Sequence, residues 1–172
     1  MENAETLRLV AELAIGVLGF SGVVAVLGRR GAGEWAPIDR VRFLTMVHAA
    51  ALVLTLALLP FPFQSAGLAS EVIWGWSSAL AAVLSVFMFA ARRIGDPPPK
   101  GYLTAPGTSR LALAYAVPAP FVALALFGMN AAGIGLARSA TRYLVGVLLI
   151  LGSTVVLFIR LLHTAMGPRR AG

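Results

Sequence analysis

The sequence has no cysteine, few charges and only two histidines. Without cysteine the chain can form no disulfide, no thiolate nucleophile and no cysteine-ligated zinc or iron–sulfur cluster. The two histidines, His48 and His163, are far apart in the sequence, and neither has an acid beside it in an apolar run. This argues against a Ser-His-Asp triad and against a histidine metal site. The sequence therefore predicts no catalytic residue, no metal and no other cofactor.

Charged residues make up only 12% of the 172 residues, whereas 59% are hydrophobic and the mean hydropathy is +0.86. A soluble domain has roughly a quarter of its residues charged, so this composition is typical of a membrane protein. The apolar residues form five runs near the roughly 17–25 residues that cross a bilayer as a helix. The predicted spans are approximately 9–28, 43–59, 72–91, 111–129 and 143–162. We expect an all-α integral membrane protein in which residues 1–172 form one membrane domain, a bundle of five transmembrane helices.

Prolines mark several of the predicted boundaries. Pro60 and Pro62 are expected to end the second span, because each proline removes a hydrogen-bond donor and restricts the residue before it. Pro118 and Pro120 lie inside the fourth span, where we expect a kink. The alternative there is a broken helix whose freed carbonyls coordinate an ion. The acidic start of the chain does not resemble a secretory signal, so the first span is expected to be retained.

The basic residues are distributed unequally between the two sides of the predicted bundle. Of the 14 Lys and Arg residues, only Arg8, Arg138 and Arg142 fall on the side of the N-terminus. Loops rich in Lys and Arg stay in the cytoplasm, so the N-terminus is predicted outside and the C-terminus in the cytoplasm. The net charge of +7 then indicates contacts with anionic lipids on the cytoplasmic side rather than nucleic-acid binding. This pattern predicts a multi-pass protein of the cell (inner or plasma) membrane.

Three polar residues are candidates for an intramembrane or vestibule role: Glu12, His48 and Glu71. Ionisable groups in spans usually face the bundle interior or water. For each there is an ordinary alternative. Glu12 can pair with Arg8 four residues earlier, and His48 can hydrogen-bond to a neighbouring helix. Glu71 can be an acid at the start of a helix, or form an acidic outer vestibule with Glu12 if copies assemble.

Other residues carry weaker predictions. Gly16, Gly19 and Gly22 recur at three-residue steps and predict close helix packing within a chain or between subunits. The cytoplasmic charge cluster Asp39, Arg40 and Arg42 is interpreted as a helix start with topology charges, the alternative being a gate or a docking site. Arg160 and His163 are expected to reach the headgroups from the last span.

Three classes of function remain open. The protein can be a non-enzymatic pore or transport-type homo-oligomer, which is the favoured hypothesis, or an accessory or scaffold subunit of a larger membrane complex. The third class, a membrane enzyme acting on lipids or quinones, lacks a catalytic constellation in the sequence. The expected partners are therefore the bilayer and either further copies of the chain or another membrane protein.

Overall fold

The computed structural model describes residues 3–32, 37–95, 110–135 and 137–166, except for some side chains near helix ends. Over these ranges the chain forms helices joined by short turns, without a β-strand. The helices are α1 (Ala4–Ala32), α2 (Pro37–Leu58), α3 (Pro60–Ser65), α4 (Ser70–Gly95), α5 (Arg110–Ala116), α6 (Pro118–Ala132) and α7 (Ala140–Met166). The Pro97-Pro98-Pro99 loop and the basic residues after Met166 lie outside the described residues.

Five segments are long and apolar enough to cross a membrane, so the predicted all-helical bundle with five candidate spans is confirmed at that level. They are Ala4–Val24, Arg40–Ser65, Ser70–Gly95, Leu113–Ala132 and Ala140–Leu162. The second consists of α2 with α3, and the fourth contains the end of α5 and all of α6.

The prediction that Pro60 ends the second span is wrong. Leu59 has helical backbone angles (φ −55°, ψ −37°) and its N–H donates to the carbonyl of Thr55, so α3 continues the path of α2. The proline ring is tolerated because a membrane helix can have its freed carbonyls satisfied by neighbours. The span ends later, where Gly67 adopts a left-handed conformation (φ 72°) and its N–H donates to the carbonyl of Gln64.

One of those freed carbonyls has a specific donor. Proline at position 60 has no N–H to give to the carbonyl of Leu56, the residue four positions earlier. The hydroxyl of Tyr143 on α7 donates to that carbonyl instead, at 2.6 Å. Tyr143 is fully buried, with its ring centroid 5.7 Å from that of Trp74 and 5.5 Å from that of Phe127. A single side chain therefore joins the packing of α7 to the proline in the second span.

The fourth span is interrupted at Val117, directly before Pro118. The N–H of Val117 still donates to the carbonyl of Leu113, but neither Pro118 nor Pro120 can donate to a carbonyl of the preceding turn. At its other end α6 finishes at Gly133, which is left-handed (φ 71°) and allows the chain to turn towards α7.

The last span, α7, is the central element of the described bundle. It packs against α1, α2, α4, α5 and α6, whereas α1 packs mainly against α2 and α7. The centre between these helices is filled by fully buried side chains. They are Met46, Val53, Leu56, Ala81, Ala123, Phe127, Tyr143 and Val147. The peripheral α1 leaves much of its apolar surface uncovered by the rest of the chain.

Candidate functional site

The three predicted polar candidates are not brought together within one chain. Glu12, His48 and Glu71 lie on α1, α2 and α4, and all three side chains are exposed. Over the described residues α1 and α4 make no contact with each other. A site that combined Glu12 with Glu71 would therefore need more than one copy of the chain.

Glu12 does not form the expected ion pair with Arg8. The guanidinium of Arg8 instead lies over the ring of Phe61, 5.9 Å from its centroid. Within the described part of the chain Glu12 has no hydrogen-bond or ion-pair partner, and with Arg8 it borders an open depression of about 460 Å³ on α1. Because α1 begins at Ala4, Glu12 lies about 12 Å along the helix from its start, inside the first span.

His48 lies on the outer surface of α2. The residues of α2 that face the bundle include Met46, Ala50 and Val53, which are fully buried, while His48 points away from them and is exposed. The expected hydrogen bond from His48 to a neighbouring helix is absent among the described residues. No group of three His, Asp or Glu side chains in the described ranges is arranged to hold a metal ion.

Close packing at glycine occurs in this chain on α7 rather than on α1. A Cβ added at Gly16, Gly19 or Gly22 would meet no neighbouring atom within 4 Å. A Cβ at Gly146 would lie 2.5 Å from the ring of Phe127, and one at Gly152 would collide with the hydroxyl of Tyr115. Gly16, Gly19 and Gly22 thus have no close packing against the described residues of the same chain, and their packing between copies stays a prediction.

Two arginines are buried near one end of the bundle. Arg42 of the cytoplasmic charge cluster is 2% exposed, and Arg160 on α7 is 6% exposed. From the Leu56–Tyr143 contact, Arg42 lies about 21 Å along α2 and Arg160 lies about 25 Å along α7. Because the two helices are antiparallel, both arginines lie towards the same end of the bundle. The expectation that Arg160 reaches outwards to the headgroups is therefore wrong. Arg40 is exposed, while the side chains of Asp39 and His163 lie outside the described residues.

A buried amide joins three helices near the opposite end. The Nδ2 group of Asn130 donates to Ser78 Oγ at 2.8 Å and to the carbonyl of Ser139 at 3.1 Å, and its Oδ1 accepts from the Ser139 N–H at 2.9 Å. Ser139 Oγ accepts a hydrogen bond from the N–H of Arg142, so Ser139 caps the start of α7. This network fixes the connection between α6 and α7 against α4.

Arg138 belongs to the same connection and lies in a groove beside Gly75. A Cβ at Gly75 would be 3.0 Å from Arg138 Cδ and 3.1 Å from its Nε, so a side chain at position 75 would require the arginine to shift. Trp76, Ala79 and Ala131 complete the lining of a shallow cavity of about 280 Å³. Trp76 is 60% exposed, so the cavity opens on the outer surface of the bundle.

Sequence reasoning missed both Asn130 and Arg138 as structural or binding residues. Asn130 directly follows the predicted fourth span as an amide at the end of an apolar run, and Ser77-Ser78 is a pair of small polar residues inside another run. Those signals mark polar positions but do not say which helices meet.

A comparison of the chain with protein-family models, with curated proteins and with solved structures finds no match.

Proposed function

We propose that this protein is a non-enzymatic pore or transport-type homo-oligomer of the cell (inner or plasma) membrane. Its N-terminus faces outwards and its C-terminus the cytoplasm, as the distribution of Lys and Arg predicts. In this proposal the polar pathway lies between copies of the chain, along the outer surface of α1. The observation that carries the proposal is the exposed and unpaired Glu12 within the first candidate span.

A carboxylate facing lipid is unfavourable. Insertion measurements give about 2.5–3.5 kcal/mol for an acidic residue at the centre of a membrane helix, and less towards its ends. Arg8, the base nearest to Glu12 on α1, lies over Phe61 instead of neutralising this charge. A water-filled space between copies would remove the unfavourable exposure of Glu12 to lipid and line that space with acids, which favour cations.

The surface around Glu12 is suited to helix association. Gly16 and Gly19 follow Glu12 at spacings of four and seven residues, which puts the three on one face of α1. Among the elements that the structure describes, none covers either glycine. Small residues allow two helix backbones to approach closely in a membrane, where the van der Waals contact drives association. The glycines thus support contact between α1 helices of two copies.

The interior of one chain offers no comparable route in the described residues. Its centre is filled by apolar and aromatic side chains such as Phe127 and Val147, both without exposed surface. The Asn130 network near one end is closed, because both oxygen and nitrogen of the amide already have partners. This favours a pathway between copies over one through a single bundle.

The experiment combines stoichiometry with ion flux. Native mass spectrometry in mild detergent measures the number of copies, and a cation-sensitive dye in liposomes measures flux. Glu12→Gln is expected to reduce cation flux, whereas Glu12→Asp, which keeps the negative charge at the same position, is expected to retain it. Gly16→Leu is expected to reduce the number of copies, with Gly128→Leu as control, since Gly128 also has no neighbour within 4 Å.

A monomer that passes no ions would refute this proposal. Flux that is equal in the wild type and in Glu12→Gln would show that Glu12 does not line the pathway. An unchanged copy number in Gly16→Leu would remove α1 from the interface.

The second candidate is an accessory or scaffold subunit of a larger membrane complex. The same uncovered glycine face of α1 favours it, because a helix of another protein could pack there as well as a second copy. Co-purification with a different membrane protein, lost in Gly16→Leu and kept in Gly128→Leu, would support this function over the homo-oligomer.

A further inference from the structure

The groove that holds Arg138 lies at one end of the bundle, at the level of the membrane surface. Gly75 is five residues after the start of α4 at Ser70, about 7.5 Å along the helix. Arg138 precedes the start of α7, and Gly133 ends α6 close by, its Cβ position being 3.8 Å from Arg138 Nε. Three helix ends therefore meet around one guanidinium.

Arg138 lies against Gly75 without being neutralised by an acid of the described residues. Its aliphatic part and Nε lie against Gly75, and its side chain is exposed on the cavity side. Over the described residues no acid forms an ion pair with it, including Glu71, which is one turn before Gly75 on α4. The cavity therefore presents the positive charge of Arg138.

We propose that this groove binds the phosphate group of an anionic phospholipid in the leaflet next to the N-terminus. A guanidinium offers several N–H donors in one plane, an arrangement that suits phosphate oxygens. Trp76 lies beside it, and tryptophan is enriched at the level of the lipid headgroups. Ala79 and Ala131 give the cavity an apolar side on which the lipid glycerol and upper acyl chain can lie.

The proposal differs from the cytoplasmic lipid contacts that the basic loops predict. Those contacts are general attraction to a charged surface, whereas this is one site built from a glycine, a tryptophan and a positioned arginine. Its charge comes from the side of the protein that is poor in Lys and Arg. A lipid bound here would also cover the junction between α4, α6 and α7 and hold the 133–139 connection in place.

The test is lipid binding by native mass spectrometry of the full chain in mild detergent, titrated with dioleoyl phosphatidylglycerol. Arg138→Gln is expected to weaken the first binding step about tenfold, as the loss of a hydrogen bond to a charged group predicts. Gly75→Ala is expected to weaken it with every charge retained, because the new methyl group would displace the arginine. Arg8→Gln, which removes another exposed arginine on the same side, is expected to bind like the wild type.

Several outcomes would overturn the proposal. Equal binding in Arg138→Gln and the wild type would exclude the groove, and equal weakening in Arg8→Gln would indicate general charge attraction. Displacement of the lipid by millimolar inorganic phosphate would assign the site to free phosphate. Folding of each variant is checked by its helical circular dichroism.

Discussion

The contact between Tyr143 and the proline of the second span gives a quantitative prediction. Tyr143→Phe removes the hydroxyl that donates to the carbonyl of Leu56 at 2.6 Å but keeps the ring between Trp74 and Phe127. A buried carbonyl left without a donor destabilises a fold by about 1–3 kcal/mol, while hydrogen bonds measured in membrane bundles average about 0.6 and reach about 1.7 kcal/mol. We expect a loss of about 1.5 kcal/mol in the free energy of unfolding.

The reason for this loss can be tested by giving the carbonyl a second donor. Leu59 already has helical backbone angles, so in Pro60→Ala the backbone N–H of residue 60 would point at the carbonyl of Leu56. In the Pro60→Ala background, Tyr143→Phe should therefore destabilise by less, with a coupling energy of about 1 kcal/mol between the two positions. The packing lost with the buried Pro60 ring cancels in this double-mutant cycle.

The assay is unfolding by sodium dodecyl sulfate in mixed micelles, followed by tryptophan fluorescence and circular dichroism. Tyr115→Phe is the matched control, because its hydroxyl is 3.5 Å from the carbonyl of Leu149, at the limit of a hydrogen bond, and its side chain is exposed. If Tyr143→Phe had the same effect with proline and with alanine at position 60, the reasoning would be refuted, since the carbonyl of Leu56 would then not depend on the missing N–H.

Two further predictions concern packing and topology. Gly146→Ala should destabilise the bundle by about 1–3 kcal/mol because its methyl group would meet the Phe127 ring, whereas Gly128→Ala should not; equal unfolding curves would contradict this. Because the chain has no cysteine, Gly67→Cys and Gly95→Cys can be labelled with a membrane-impermeant thiol reagent. The first should react from outside and the second only after permeabilisation, and labelling of both from one side would contradict the proposed orientation.

The helical class and the five apolar segments could be predicted from the sequence because run length and composition determine them directly. The end of the second span could not. Pro60 and Pro62 are ordinarily helix-terminating, and the exception depends on Tyr143, a residue far along the chain that satisfies one freed carbonyl. A tertiary contact of this kind leaves no local signal in the sequence.

The candidate site residues could likewise be predicted only in part from the sequence. The ionisable residues Glu12, His48 and Glu71 could be recognised as candidates by their position in apolar segments. Whether each is covered by a neighbour depends on helix order, and helix order follows from steric fit such as that of Gly146 with Phe127 and Gly75 with Arg138. Both of those glycines belong to no repeated pattern, while a Cβ at any of the patterned Gly16, Gly19 and Gly22 would meet none of the described residues within 4 Å.

The central position of α7 has a consequence for biosynthesis. A chain is made from its N-terminus, so the four earlier candidate spans are synthesised before the helix that packs against most of them. Until α7 is made, the surface of α2 that it covers is open, and the carbonyl of Leu56 has no donor from Tyr143. A nascent chain that stops before α7 therefore leaves both an apolar surface and a polar backbone group without the partners that they have in the finished bundle.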